Sequence, residues 1–185
     1  RPLGAFLLAV SLALAFTAAG APQNMGFEEG DTVAAPHGWN VIGPSGDTAV
    51  ALDEHEPAEG RHSLRVTVGS SGSARVVQRV AAKEIAGPTD ALGRRLRLSG
   101  LVRAAPDAAA EPALWLRIAG AKGPSFLDSQ GEAREPAGDR ERTTALPRGA
   151  STAWRRYTIE MPWPGDVDEV AFGVSARGSG TVWFD

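Results

Sequence analysis

Few residues in this 185-residue chain have the chemistry of a catalyst, and those that do are wrongly spaced for one. Cysteine is absent, which removes thiol nucleophiles, thiolate zinc sites and disulfide staples together. The three histidines, His37, His55 and His62, all fall in stretches that read as turns. Asp53-Glu54-His55-Glu56, followed by Glu59 and His62, is the densest cluster of metal-ligating types. It lacks the second histidine, four residues after the first, that a zinc-binding helix needs, and Pro57 and Gly60 break any helix there. A solvated hairpin turn is the expectation for it. Gly69-Ser70-Ser71-Gly72 does not have the Gly-x-Ser-x-Gly spacing of a nucleophile elbow, and no glycine-rich phosphate cradle occurs. No nucleophile, base and orienting group assemble from these motifs, so the chain is expected not to be an enzyme.

Tryptophan is the better-supplied chemistry, with five indoles (Trp39, Trp115, Trp154, Trp163 and Trp183) against a single tyrosine. A flat indole face packs on the apolar face of a pyranose while neighbouring polar groups take its hydroxyls. In residues 113–119, Leu114, Leu116 and Ile118 alternate with Trp115 and Arg117. A strand therefore sets Trp115 and Arg117 side by side, on the face opposite the apolar stripe. They are the candidate ligand-facing pair, with inter-sheet or inter-domain packing an equal alternative for Trp115. Trp163, held in Pro162-Trp163-Pro164, is a candidate rim contact or a loop plug.

The elements that must position these groups are strands. Runs at 48–52, 63–68, 74–80, 94–104, 113–119, 154–161, 167–175 and 181–184 alternate apolar and polar residues between turns rich in Gly, Pro, Asp and Ser. Period two with one wet face is the pattern of antiparallel sheets, and this many short strands without a long helical period predict an all-β antiparallel sandwich. Residues 82–92 and the polar stretch 128–150 read as connections, as does 104–112 between its prolines. The composition, 43% apolar and 22% charged, suits one globular domain over 22–185. A formal net charge of −3 gives no basic field for nucleic acid.

Residues 1–21 read as a secretory signal peptide: Arg1, an apolar run over 3–19, then small residues, with cleavage expected before Gly20. A membrane anchor is the rival reading, disfavoured because the run is short for a span. The product is expected in the periplasm or outside the cell, with no membrane contact after cleavage. The sequence stops at Val182-Trp183-Phe184-Asp185, inside a strand pattern, so a continuation beyond it is expected.

Three motifs in order carry a family likeness. Asn24-Met25-Gly26-Phe27-Glu28 with Pro36-His37-Gly38-Trp39 resembles the opening of galactose-binding-like jelly-roll modules. Glu59-Gly60-Arg61-His62-Ser63-Leu64-Arg65-Val66 resembles their next turn and strand, and Gly178-Ser179-Gly180-Thr181-Val182-Trp183-Phe184-Asp185 their last strand. Residues 113–118, Phe126-Leu127-Asp128 and Trp154-Arg155-Arg156-Tyr157 look like the module found ahead of secreted bacterial hydrolases, among them C-terminal-processing-type serine peptidases and erythromycin-esterase-type proteins.

The resemblance implies a jelly roll acting as a non-catalytic accessory module. Its partners would be carbohydrate or a C-terminal catalytic domain, and a structural inter-domain module that binds no sugar is the alternative. The likeness also implies a structural calcium ion at Glu28 and Asp185, since Ca²⁺ takes six to eight oxygen ligands and carboxylates at the two ends of the fold can join backbone carbonyls around it. It further implies that Trp39, Trp154 and Trp183 pack in the core.

Overall fold

The computed structural model describes residues 20–86, 95–120, 123–128, 151–163 and 167–185. The apolar run over 3–19, read as a signal peptide, and most of the 128–150 stretch lie outside these residues. In chain order the elements are β1 (Asn40–Ser45), β2 (Thr48–Asp53), β3 (Ser63–Ala81), α1 (Ala82–Ala86), β4 (Arg95–Ala104), β5 (Glu111–Gly120), β6 (Gly123–Asp128), β7 (Arg155–Pro162) and β8 (Val167–Phe184).

β3 and β8 run antiparallel along nearly their full lengths, from Leu64 opposite Phe184 to Ala81 opposite Glu169. Both bend on the way. The β3 register slips between Val68 and Gly72, where Ser71 takes a left-handed φ of 62°. β8 bends at Gly178 and Gly180, with φ of 104° and 116°, values that favour residues without a Cβ. Before its bend β3 pairs with β2; after it, with β1. β8 likewise pairs first with β5 and at its end with β4. Each long strand thus passes from one layer into the other. Layer A is β2, the start of β3, the end of β8, β4 and β7; layer B is β1, the end of β3, the start of β8, β5 and β6.

The alternation in the sequence now has its reason. Leu64, Val66, Val102, Val182, Phe184 and Ile159 from layer A meet Val76, Val80, Leu114, Leu116, Ile118, Val170 and Phe172 from layer B in one apolar cluster. Each such side chain contributes about 1.5–3 kcal/mol of burial free energy, which is what holds the layers face to face. Phe27 and Trp39 close one end, their rings 4.9 Å apart, with Trp39 edge-on to Phe172 at 5.9 Å. The Trp39 indole N–H donates to the Asn24 carbonyl at 2.9 Å, so its polar edge is buried without an unmet bond.

Four features differ from the sequence expectation. The runs at 63–68 and 74–80 are one strand, and those at 167–175 and 181–184 are another, because bends rather than loops separate their halves. β1 was not anticipated: Gly43 and Pro44 interrupt its pattern. β6 was not anticipated as a strand of its own either. The connection after β3 begins as the short helix α1.

Candidate functional site

The outer face of layer B carries the indole and the guanidinium that the sequence pairs. On its central strand β8 the outward positions Ala171, Gly173 and Ser175 are all small. Val77 of β3 and Trp115 of β5 stand either side of Gly173, and Arg79 and Arg117 either side of Ala171. Arg75 faces Ser175 one step further along. Val77 and Trp115 pack over this strand, so Ala171 and Gly173 are themselves buried. Glu169 sits at one end, its Oε1 3.5 Å from Arg117 Nη1 and 4.0 Å from Arg79 Nη1. At the other end Arg177 Nε donates to Glu111 at 2.7 Å.

Trp115 and Arg117 differ in access. Arg117 keeps 34% of its side chain exposed. Trp115 is only 6% exposed and packs with Val77, Ala171 and Ile42 in a second apolar cluster outside the main core. Its ring is packed against these neighbours and is not an open platform. Trp163, weighed as a rim contact or a plug, is 9% exposed and belongs to the main core. A small cleft of about 30 Å³ lies beside Phe27, Trp39, Leu114 and Gly173; it has room for a water and not for a sugar ring.

No family profile matches the chain, and no curated relative does. Solved structures do. The family 22 carbohydrate-binding module of Clostridium thermocellum Xyn10B superposes with a TM-score of 0.54 at 13% identity, over 89% of this chain and 93% of that one. TmCBM61, solved with β-1,4-galactotriose, gives 0.52 at 14% identity, over 91% and 95%. The chain shares the β-sandwich fold of these structures. The enzymatically active domain of bacteriophage CBA120 tailspike protein 4 also superposes, at 0.56 and 11% identity, but this chain spans only 20% of it.

On the other outer face of the sandwich, two tryptophans leave the core. Alternation places Val182 and Phe184 inward and Trp183 outward, beside Arg65 and Arg103 on the neighbouring strands. The Arg103 guanidinium stacks 4.5 Å from the Trp183 ring and 5.1 Å from Trp154. Core packing, expected for both indoles, is corrected to a stack on the surface of layer A. The acidic segment after β2 folds onto that stack. Asp53 Oδ2 accepts from the Trp183 indole at 2.8 Å, Arg103 donates to Glu56 at 2.9 Å, and Trp154 donates to the Glu56 carbonyl at 3.1 Å. Burial pulls the Asp53 carboxyl upward, but the Trp183 indole, the His55 amide and the Arg65 charge outweigh it and hold it below the usual range. The segment is the exposed turn expected, and these bonds in addition pin it to layer A as a strap.

Glu28 and Asp185 come together at the far side of the strap. Asp185 Oδ2 accepts from the amides of Ala58 and Glu59 at 2.8 and 2.9 Å, and Glu28 accepts from the Arg61 amide at 3.0 Å. Gly60, at φ 63°, makes this possible, since a Cβ there would lie 1.8 Å from Glu28 Oε1. Burial pushes the Asp185 carboxyl up, and the charges of Glu59 and Glu28 add to this against the two amide bonds. That like-charge pressure is what a hard cation relieves. Among the described residues no group of three or more His, Asp or Glu is arranged to hold a metal, so backbone carbonyls would have to complete a calcium shell around this pair.

Proposed function

We propose that this chain is the non-catalytic carbohydrate-binding module of an exported hydrolase, with the outer face of layer B as its glycan surface. The observation that supports this most is a sandwich that superposes on carbohydrate-binding modules and carries Arg117, 34% exposed, on the outward face of β5. In this reading Arg117 contacts the sugar, Trp115 packs beneath it, and Trp163 supports the core. Affinity electrophoresis of the folded chain through gels containing different polysaccharides tests it. Retardation in at least one polysaccharide is expected; none in any gel would overturn it.

The burial of Trp115 favours a second reading, in which this face packs against a catalytic domain and binds no sugar. A structure with that domain present would show Arg117 buried at the contact. The same module is proposed to take one structural calcium ion at Glu28 and Asp185. Calcium should raise the melting temperature over that in chelator, and Glu28→Gln should abolish the difference. A melting temperature indifferent to calcium would remove the ion from the account.

A further inference from the structure

Resting on the proposed calcium ion, we infer that the strap is a cation-linked clasp: charge relief at Glu28 and Asp185 sets how firmly residues 53–59 close over the stack of Trp154, Arg103 and Trp183. The strap carries four carboxylates, Asp53, Glu54, Glu56 and Glu59. Arginines answer three of them: Arg65 reaches Asp53 at 3.5 Å, Arg103 reaches Glu56 at 2.9 Å and Arg156 reaches Glu59 at 3.0 Å. Asp185 is not answered in this way. Among the described residues no cation pairs with it, and the charges of Glu59 and Glu28 press on it. Ser63 adds a third oxygen to this pair. Its side chain is fully buried, its Oγ has no partner among the described residues, and the Leu64–Phe184 register brings it beside Asp185. A hard cation takes a hydroxyl of this kind together with carboxylates.

The two halves of the strap are tied to different things. At its end, the amides of Ala58 and Glu59 donate to Asp185 Oδ2. Just before them, the Glu56 carbonyl accepts from the Trp154 indole and the Glu56 carboxylate from Arg103. Glu56 holds a left-handed φ of 52°, which a residue with a Cβ keeps only where its surroundings impose it. Glu54, His55, Glu56 and Glu59 are exposed, so water competes for each of these bonds. Loosening at Asp185 is therefore passed through Pro57 to Glu56 and on to the indoles. Without a cation, Glu59 and Glu28 repel Asp185 and favour departure of the strap. With one, that repulsion is relieved, and the amide bonds and the stack close together.

The test is hydrogen exchange of the full chain, read by nuclear magnetic resonance in calcium chloride and in chelator, with melting temperatures measured alongside. Calcium should slow exchange at the Trp154 and Trp183 indoles and at the Ala58 and Glu59 amides by about fivefold or more. The Trp115 indole, packed in layer B, should slow less and serves as the reference for global stabilisation. Glu59→Gln removes a charge that presses on Asp185 and keeps the amide; it should slow the same two indoles in chelator and shrink what calcium adds. Near-ultraviolet circular dichroism confirms that the variant is folded. A calcium-raised melting temperature with unchanged exchange at Trp154 and Trp183, or with equal slowing at Trp115, would overturn the clasp and leave the ion in place. Faster indole exchange in Glu59→Gln would show that Glu59 holds the strap instead of repelling Asp185, and would overturn the clasp too. A melting temperature and an exchange pattern both indifferent to calcium would sink the clasp and the ion together.

Discussion

Removing the guanidinium between two indoles should cost this domain more than a surface arginine normally does. Arg103 is 12% exposed and touches the faces of Trp183 and Trp154. Two partly desolvated cation–π contacts are worth about 1 kcal/mol each. Its ion pair with Glu56 adds only about 0.5 kcal/mol, because Glu56 is 70% exposed and water screens it. The buried stem adds about 1 kcal/mol. Against these, Arg103 Nε is buried with no partner among the described residues, and its removal returns about 1 kcal/mol.

Arg103→Ala should therefore destabilise by about 2–3 kcal/mol, or about 5–10 °C in melting temperature for a domain of this size. Urea unfolding followed by tryptophan fluorescence reads the first number and calorimetry the second. Arg103→Lys keeps the charge but not the plane and should recover about half. A loss under about 0.5 kcal/mol for Arg103→Ala would show that the stack is ornamental and refute the reasoning.

Three further outcomes follow from the same contacts. Asp53 is held below its ordinary value near 3.8, so its stabilisation is present above that value and is lost as pH falls through its lower folded-state value; urea midpoints measured from pH 5 downward should show a steeper loss for the native chain than for Asp53→Asn. Gly60→Ala must hold a left-handed φ and move the Glu28 carboxylate, so it should cost about 2–3 kcal/mol, with faster amide exchange at Arg61 as the local sign. Trp115→Ala empties a packed site and should cost about 3–5 kcal/mol, whereas Arg117→Gln should cost under about 1; comparable small losses for both would mean the indole is not packed.

The alternating strands were readable because a half-buried strand must repeat every two residues. Leu114, Leu116 and Ile118 against Trp115 and Arg117 mark both faces of β5 in the sequence alone. What period two does not record is what covers the outward face. Trp115 and Trp183 are both outward, yet one is packed under apolar neighbours and the other is stacked on Arg103. The same rule applied to Val182 and Phe184 would have moved Trp183 out of the core from sequence alone. The strap was missed for another reason. Its partners, Asp185, Trp183, Arg103 and Trp154, lie far along the chain, and a turn rich in charge looks the same whether water or a distant strand answers it. β1 was hidden because Gly43 and Pro44 erase the alternation that hydrogen bonding to β3 does not require at every position.

β3 and β8 each belong to both sheets, and this ties the fate of the two halves together. Peeling one sheet from the other cannot proceed by breaking side-chain packing alone; it must also uncouple the longest ladder in the molecule, from Leu64–Phe184 through to Ala81–Glu169. Neither half owns an independent set of strands that could survive the other's loss. The domain should melt as a single cooperative unit, with the slowest-exchanging amides along that shared spine and no half-sandwich intermediate on the way.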